Sequence, residues 1–294
     1  MNRCDVTLLK GRRRRETFPC EETKGRGTAD RENDRHLEHA QASGDLTRDE
    51  QEQIVHFETT LFAAQIRDKI AGSLTGRGAQ GGPIALSRQP FFIGINDPVG
   101  LNPTSVPFNP DVFTIFNPWE SLSAASGDTT IEARLAITRG ERIFNTKPIT
   151  ISGVGGLNNH TFASGVRIGD PLVGTCTTCH DSPNAGDHSV KAPLDIGVAD
   201  PANASYLPVY TLRNVATGET IRTTDPGRAM ITGKWTDVGR FKGPILRALA
   251  ARAPYFHNGS AATLDEVIAF YERRFHVGLT SQERADLLAF LRAL

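Results

Sequence analysis

Apolar residues recur at helical spacing in two stretches that share one text. Leu46-Thr47-Arg48-Asp49-Glu50 opens on a Thr-x-x-Glu capping box and runs on through Ile54, Val55, Phe57, Leu61, Phe62 and Ile66. Leu279-Thr280-Ser281-Gln282-Glu283 opens a second stretch, through Leu287, Leu288, Phe290 and Leu294, which matches the first position for position. The shared register predicts two helices related by an internal repeat. A third amphipathic helix is predicted from about Thr130 to Phe144, with Ile131, Leu135 and Phe144 on one face and Gly140 where a neighbouring helix can come close. A fourth begins at Thr263, where Glu266 completes another capping box and Leu264, Ile268 and Tyr271 share a face. Val209–Leu212 and Glu219–Arg222 read as a β-hairpin turning at Thr217-Gly218.

Between Gly72 and about Ser126 the periodicity gives way to Gly, Pro and Asn, as in Gly81-Gly82-Pro83, Asn96-Asp97-Pro98 and Asn117-Pro118. Such punctuation makes turns and extended segments. Phe91, Phe92, Phe108, Phe113, Phe116 and Trp119 are too many aromatics for a solvated linker, so the stretch reads as an ordered connection. The predicted organisation is a charged tail over residues 1–40, disordered or spurious, then the remnant of a first domain with its connection over 41–125, then a helical domain with long Gly/Pro-rich loops over 126–294. The run Arg12–Arg15 is diluted by Glu16, Glu21 and Glu22 and is followed by no apolar stretch, which argues against a nucleic-acid arm and an export signal. Thirty-three basic residues balance thirty-three acidic ones, and no run is long and apolar enough to cross a membrane. The expected partner is a small molecule or a redox protein, with the oligomeric state left open by the sequence.

The chemistry concentrates at Cys176-Thr177-Thr178-Cys179-His180. Two thiols three residues apart, followed at once by an imidazole, suit covalent attachment of haem c: Cys176 and Cys179 forming thioethers and His180 binding iron. A zinc site wants further Cys or His at short spacing, and Cys4 and Cys20 lie too far upstream. A thioredoxin-like pair wants a strand before and a helix after, whereas Asp181–Asn184 follows here as a turn. Haem c is normally matured after export, so a periplasmic protein is expected, with a natural reading frame that starts further upstream.

Residues 225–275 carry Asp225-Pro226-Gly227-Arg228, Gly239-Arg240-Phe241-Lys242-Gly243-Pro244, Leu246-Arg247, Ala253-Pro254-Tyr255-Phe256-His257-Asn258-Gly259 and Val267–Tyr271. Together with the Cys-x-x-Cys-His motif, this text resembles the bacterial di-haem cytochrome c peroxidase and MauG family over roughly residues 130–294, and more faintly over 45–125. The resemblance implies a mainly α, cytochrome c-like domain in which the first and last helices cross, Gly140 and Phe144 meeting Phe290 and Leu291. It implies an electron-transfer haem here; the attachment site of the family's second, peroxide-facing haem does not occur in the chain. One haem c is therefore expected, serving electron transfer within a peroxidase or MauG-like system, with a self-sufficient hydrogen peroxide reductase as the alternative. Tyr271, fourteen residues after His257, matches the family's sixth-ligand position, where peroxidases have Met and MauG-like members Tyr; Met230 is the runner-up. By the same resemblance His257 stands near the haem without binding iron. Arg247 and Arg240 are candidates to pair the haem propionates, against a plain surface role. His36, His39, His56, His160, His188 and His276 read as surface histidines. The resemblance also implies a calcium held partly by backbone carbonyls, which leave no side-chain signature, and a small cytochrome or cupredoxin as redox partner.

Overall fold

The structure is a computed structural model that describes residues 6–8, 43–59, 61–123, 125, 127–190 and 192–294. Apart from Val6–Leu8, the tail over residues 1–40, with Cys4 and Cys20, lies outside the described residues. The described residues fall into two compact units, one holding residues 43–63 and the other Val6–Leu8 and residues 64–294.

The smaller unit is built on helix α1 (Arg48–Thr59), which starts where the capping box predicts. Glu50 accepts the Thr47 N–H at 2.8 Å while the Glu50 N–H donates to Thr47 Oγ1 at 3.3 Å. In chain order the larger unit contains strand β1 (Val6–Leu8), strands β2 (Arg67–Asp68) and β3 (Gly72–Ser73), helices α2 (Gly82–Ser87) and α3 (Thr129–Thr146), and strands β4 (Ile149–Ile151) and β5 (Leu172–Gly174). Strands β6 (Tyr210–Asn214) and β7 (Thr220–Thr223), then helices α4 (Ala229–Thr232), α5 (Leu264–Phe275) and α6 (Ser281–Ala293), complete it. Strands β6 and β7 form the expected hairpin, and β1 adds antiparallel to β6 with Leu8 opposite Leu212. The pairs β2–β3 and β4–β5 are short antiparallel ladders. The fold is thus partly helical, with long connections and small sheets between its helices.

Helices α3 and α6 pack at close range because of Gly140. A Cβ there would lie 2.0 Å from the Asp286 carbonyl oxygen and 2.7 Å from Phe290 Cβ, so only glycine fits. Around the crossing, Phe113 meets Phe144 and Phe290 edge to face with ring centroids 5.3 Å apart in each pair, while Phe144 and Phe290 lie tilted at 5.8 Å. The Gly-, Pro- and Asn-rich connection belongs to this core: Val112, Phe113, Ile115, Phe116 and Trp119 are fully buried. Helix α3 grips it through polar groups. Glu141 accepts the N–H groups of Ile115 and Phe116 at 2.7 and 2.9 Å, and Asn145 holds both main-chain groups of Phe113. Burial pushes the Glu141 carboxyl up to about 7, against these hydrogen bonds. A second apolar cluster, around Ile149, Ile151, Leu157, Phe162, Leu194 and Phe275, lies on the other side of the Cys-x-x-Cys-His segment.

Candidate functional site

Strand β5 ends at Gly174 and the chain turns at once into a single 3-10 turn, Cys176–Thr178. Flanking threonines fix that turn: the Thr175 N–H donates to Thr178 Oγ1 at 3.0 Å, and Thr175 and Thr177 share a hydroxyl bond of 2.6 Å. Gly174 leaves room for that bond, since a Cβ would fall 2.3 Å from Thr178 Oγ1 and displace it. The N–H groups of Cys179 and His180 both donate to the Cys176 carbonyl, so the two thiols project from one turn with the imidazole next to them. Both cysteines are unbonded. Cys176 packs against both apolar clusters and Cys179 against the second. Burial pushes both thiols up to about 12.

His180 has one nitrogen committed. Its Nδ1–H donates to the Gly186 carbonyl at 2.7 Å, which leaves Nε2 as the nitrogen with a lone pair. Burial lowers the imidazole pKa, so the neutral, ligating form is favoured. The carbonyl it meets lies in the loop 181–189, whose polar groups are largely buried.

Tyr271 stands on α5 beside this segment. Its ring packs in the second cluster with Cys176, Cys179 and Phe275, and its phenol is pushed upward by burial and by the nearness of the two cysteines. Leu264 and Ile268 of the same helix turn into the first cluster. The expected capping box of α5 is half formed: Thr263 Oγ1 accepts the Glu266 N–H at 3.2 Å, but Glu266 itself accepts from Ala262. Met230, by contrast, is 49% exposed on α4.

The remaining candidates separate. Arg247 is not a surface charge. It is buried, donates to the Gly82 carbonyl at 3.3 Å, and has no partner for its Nε–H among the described residues. Burial pulls its pKa down to about 10, with Glu141 acting the other way. Arg240 is partly exposed and faces Asp237 at 3.7 Å. The His257 side chain is 65% exposed, hydrogen-bonded through Nδ1 to Asp225, with its ring tilted against Phe241. The surface reading of His188 is corrected: it is buried and donates through Nδ1 to Asp181 at 2.5 Å, because the loop after the motif folds inward rather than into solvent. Glu141, buried on α3 where its charge raises the Arg247 pKa, was missed, although a carboxylate one residue after the crossing glycine was a signal of its position.

The residues present fit a covalent haem. Two unbonded thiols and a neutral imidazole with a free Nε2 come from one turn, a phenol shares the cluster the thiols face, and a buried guanidinium N–H suits a propionate oxygen.

No family model matches the chain. The cytochrome-c peroxidase IdrP1 of Denitromonas iodatirespirans is 32% identical over 139 residues, which cover 40% of this chain and 36% of that protein. IdrP2 of the same organism is 34% identical over 135 residues, 41% of this chain and 36% of that one. The cytochrome c551 peroxidase of Nitrosomonas europaea is 31% identical over 120 residues, 40% of this chain and 30% of that one. Among solved structures, a MauG-like protein associated with microbial copper homeostasis aligns over 60% of this chain and 56% of its own, with 23% identity and a TM-score of 0.35. The chain matches only about a third of the length of these curated relatives. Over that stretch it is a relative of the bacterial di-haem cytochrome c peroxidases.

Proposed function

We propose that residues 126–294 form a cytochrome c-like domain that carries one covalent haem and passes electrons within a di-haem peroxidase or MauG-like system. The observation that carries this reading is the fixed tautomer of His180: with Nδ1–H given to the Gly186 carbonyl, Nε2 is ready for iron, next to the two free thiols. When bound, the haem supplies one-electron redox chemistry. Cys176 and Cys179 would hold its macrocycle and His180 its iron, with Tyr271 of α5 as a further iron ligand and Arg247 pairing a propionate. The exposure of Met230 argues for Tyr271 over it. Helix α1, repeating the text of α6, is read as the closing helix of a preceding haem domain. Covalent haem places the protein in the periplasm, with a small cytochrome or cupredoxin as its redox partner.

A second reading, reduction of hydrogen peroxide by this chain alone, is favoured by the activity named for its relatives. Haem counting by pyridine haemochrome after co-expression with cytochrome c maturation machinery, followed by peroxide turnover with a reduced donor, separates the two. One haem per chain with no turnover is expected. Robust turnover at that stoichiometry selects the second reading, and no covalent mass shift overturns both. Tyr271→Phe keeps most of the packing while removing the phenol oxygen, so the oxidised iron should become more high-spin, whereas Met230→Leu should leave the spectrum unchanged.

A further inference from the structure

The nine residues after the motif, 181–189, form a loop whose position sets the bond that orients His180. Within it, the Gly186 N–H donates to the Ser182 carbonyl at 2.8 Å and the Ser182 N–H to the Asp187 carbonyl at 2.9 Å. The two ends of the loop are joined by one side chain: Asp181 Oδ1 accepts the Ser189 N–H at 2.9 Å, and Asp181 Oδ2 accepts His188 Nδ1–H at 2.5 Å. The preceding connection clamps the outside. Asn96 Nδ2 donates to the Asp181 carbonyl, Ser189 Oγ donates to that of Ile95, and the Asn184 N–H donates to that of Val112. Gly186 is wedged at a φ of 69°, where a Cβ would lie 2.6 Å from Phe113 Cζ. The carbonyl facing His180 is thus set by the packing and bonds of this loop, whose two ends the Asp181 carboxylate ties together. Both residues of the tie are buried, so His188 and Asp181 are held against each other out of water.

We propose that Asp181 is a positioning residue for the iron ligand: by joining Ser189 and His188 it closes the 181–189 loop and aims the Gly186 carbonyl at His180 Nδ1. The proposal rests on the cytochrome reading above. A hydrogen bond to the far nitrogen makes an imidazole a stronger donor, so loosening it raises the reduction potential.

The test uses the full chain carrying covalent haem. Asp181→Asn is expected to keep one haem per chain while raising the potential and shifting the electron paramagnetic resonance g-values. Because that change also removes a charge, His188 gives the control with the carboxylate intact. His188→Leu removes the donor and should reproduce both shifts; His188→Asn keeps an N–H at the Nδ1 place and should restore wild-type values. The His188 pair also gives the answer if Asp181→Asn does not accumulate. If haem-bearing variants lose thermal stability but keep the wild-type potential and g-values, the carboxylate only holds the fold and the proposal is overturned. A wild-type chain that acquires no covalent haem overturns the cytochrome reading itself, a result distinct from the former.

Discussion

Helices α1 and α6 begin with the same reciprocal bonds, yet their apolar positions meet different fates. In α6 the Thr280 N–H reaches Glu283 at 2.8 Å and the Glu283 N–H reaches Thr280 at 3.2 Å, nearly the values found at Thr47 and Glu50. Phe290 of α6 is 0% exposed, while Phe57, its counterpart in the repeat, is 61% exposed. Leu294 is buried completely and its counterpart Leu61 is 63% exposed. A cap sets where a helix starts. It does not decide what covers the face, which for α6 is settled by the glycine on α3.

The largest test of that contrast is Phe290→Ala, which should cost about 3–5 kcal/mol by urea unfolding of the larger unit. Leu294→Ala should cost about 2–5 kcal/mol, whereas Leu61→Ala should stay within about 0.5 kcal/mol. Equal costs for the two leucines would mean the repeat is buried alike in both copies, and the contrast would fail. Gly140→Ala should cost about 3 kcal/mol through overpacking, since the new methyl meets a main-chain oxygen that can yield only if the helices separate.

The polar side of the same crossing gives smaller effects. Folding lifts Glu141 from 4.5 to about 7. Between those values the unfolded chain gives up a proton that the folded chain keeps, so this group makes the fold less stable as pH rises through the window. The stability of the wild type relative to Glu141→Gln should therefore fall by about 1–3 kcal/mol from pH 4.5 to 7; a flat difference would show that Glu141 titrates normally. Smallest of all are the ion pairs. Arg139 holds the buried Asp286 with two bonds of 2.8 Å, so Arg139→Ala should cost about 1–2 kcal/mol. The exposed Arg48–Glu52 pair of α1, at 2.9 Å, should be worth no more than about 0.5 kcal/mol, and less in high salt.

What the sequence made legible follows from local rules. Capping boxes gave the starts of α1 and α6, alternation and Thr217-Gly218 gave the β6–β7 hairpin, and a glycine inside an amphipathic pattern gave the crossing at Gly140. The tripartite motif gave the thiols and imidazole now seen on one turn. What stayed hidden depends on distant partners. Asp181 and His188 look like turn and surface residues until Asn96, 85 positions before Asp181, closes over them. For Arg247 the propionate and surface readings stay open in the sequence, because nothing nearby announces its burial against the Gly82 carbonyl.

The close of helix α6 also bears on the order of folding. The Leu294 main-chain oxygen accepts the N–H groups of Gln65 and Ala248, and α6 seals Gly140 of α3, so this helix staples together stretches that lie far apart in sequence. Contacts of such long range carry a large loop-closure cost, so the docking of α6 should come late in refolding. Until it docks, the first apolar cluster stays open where Cys176 packs against it, a half-built mould whose last wall is the final helix.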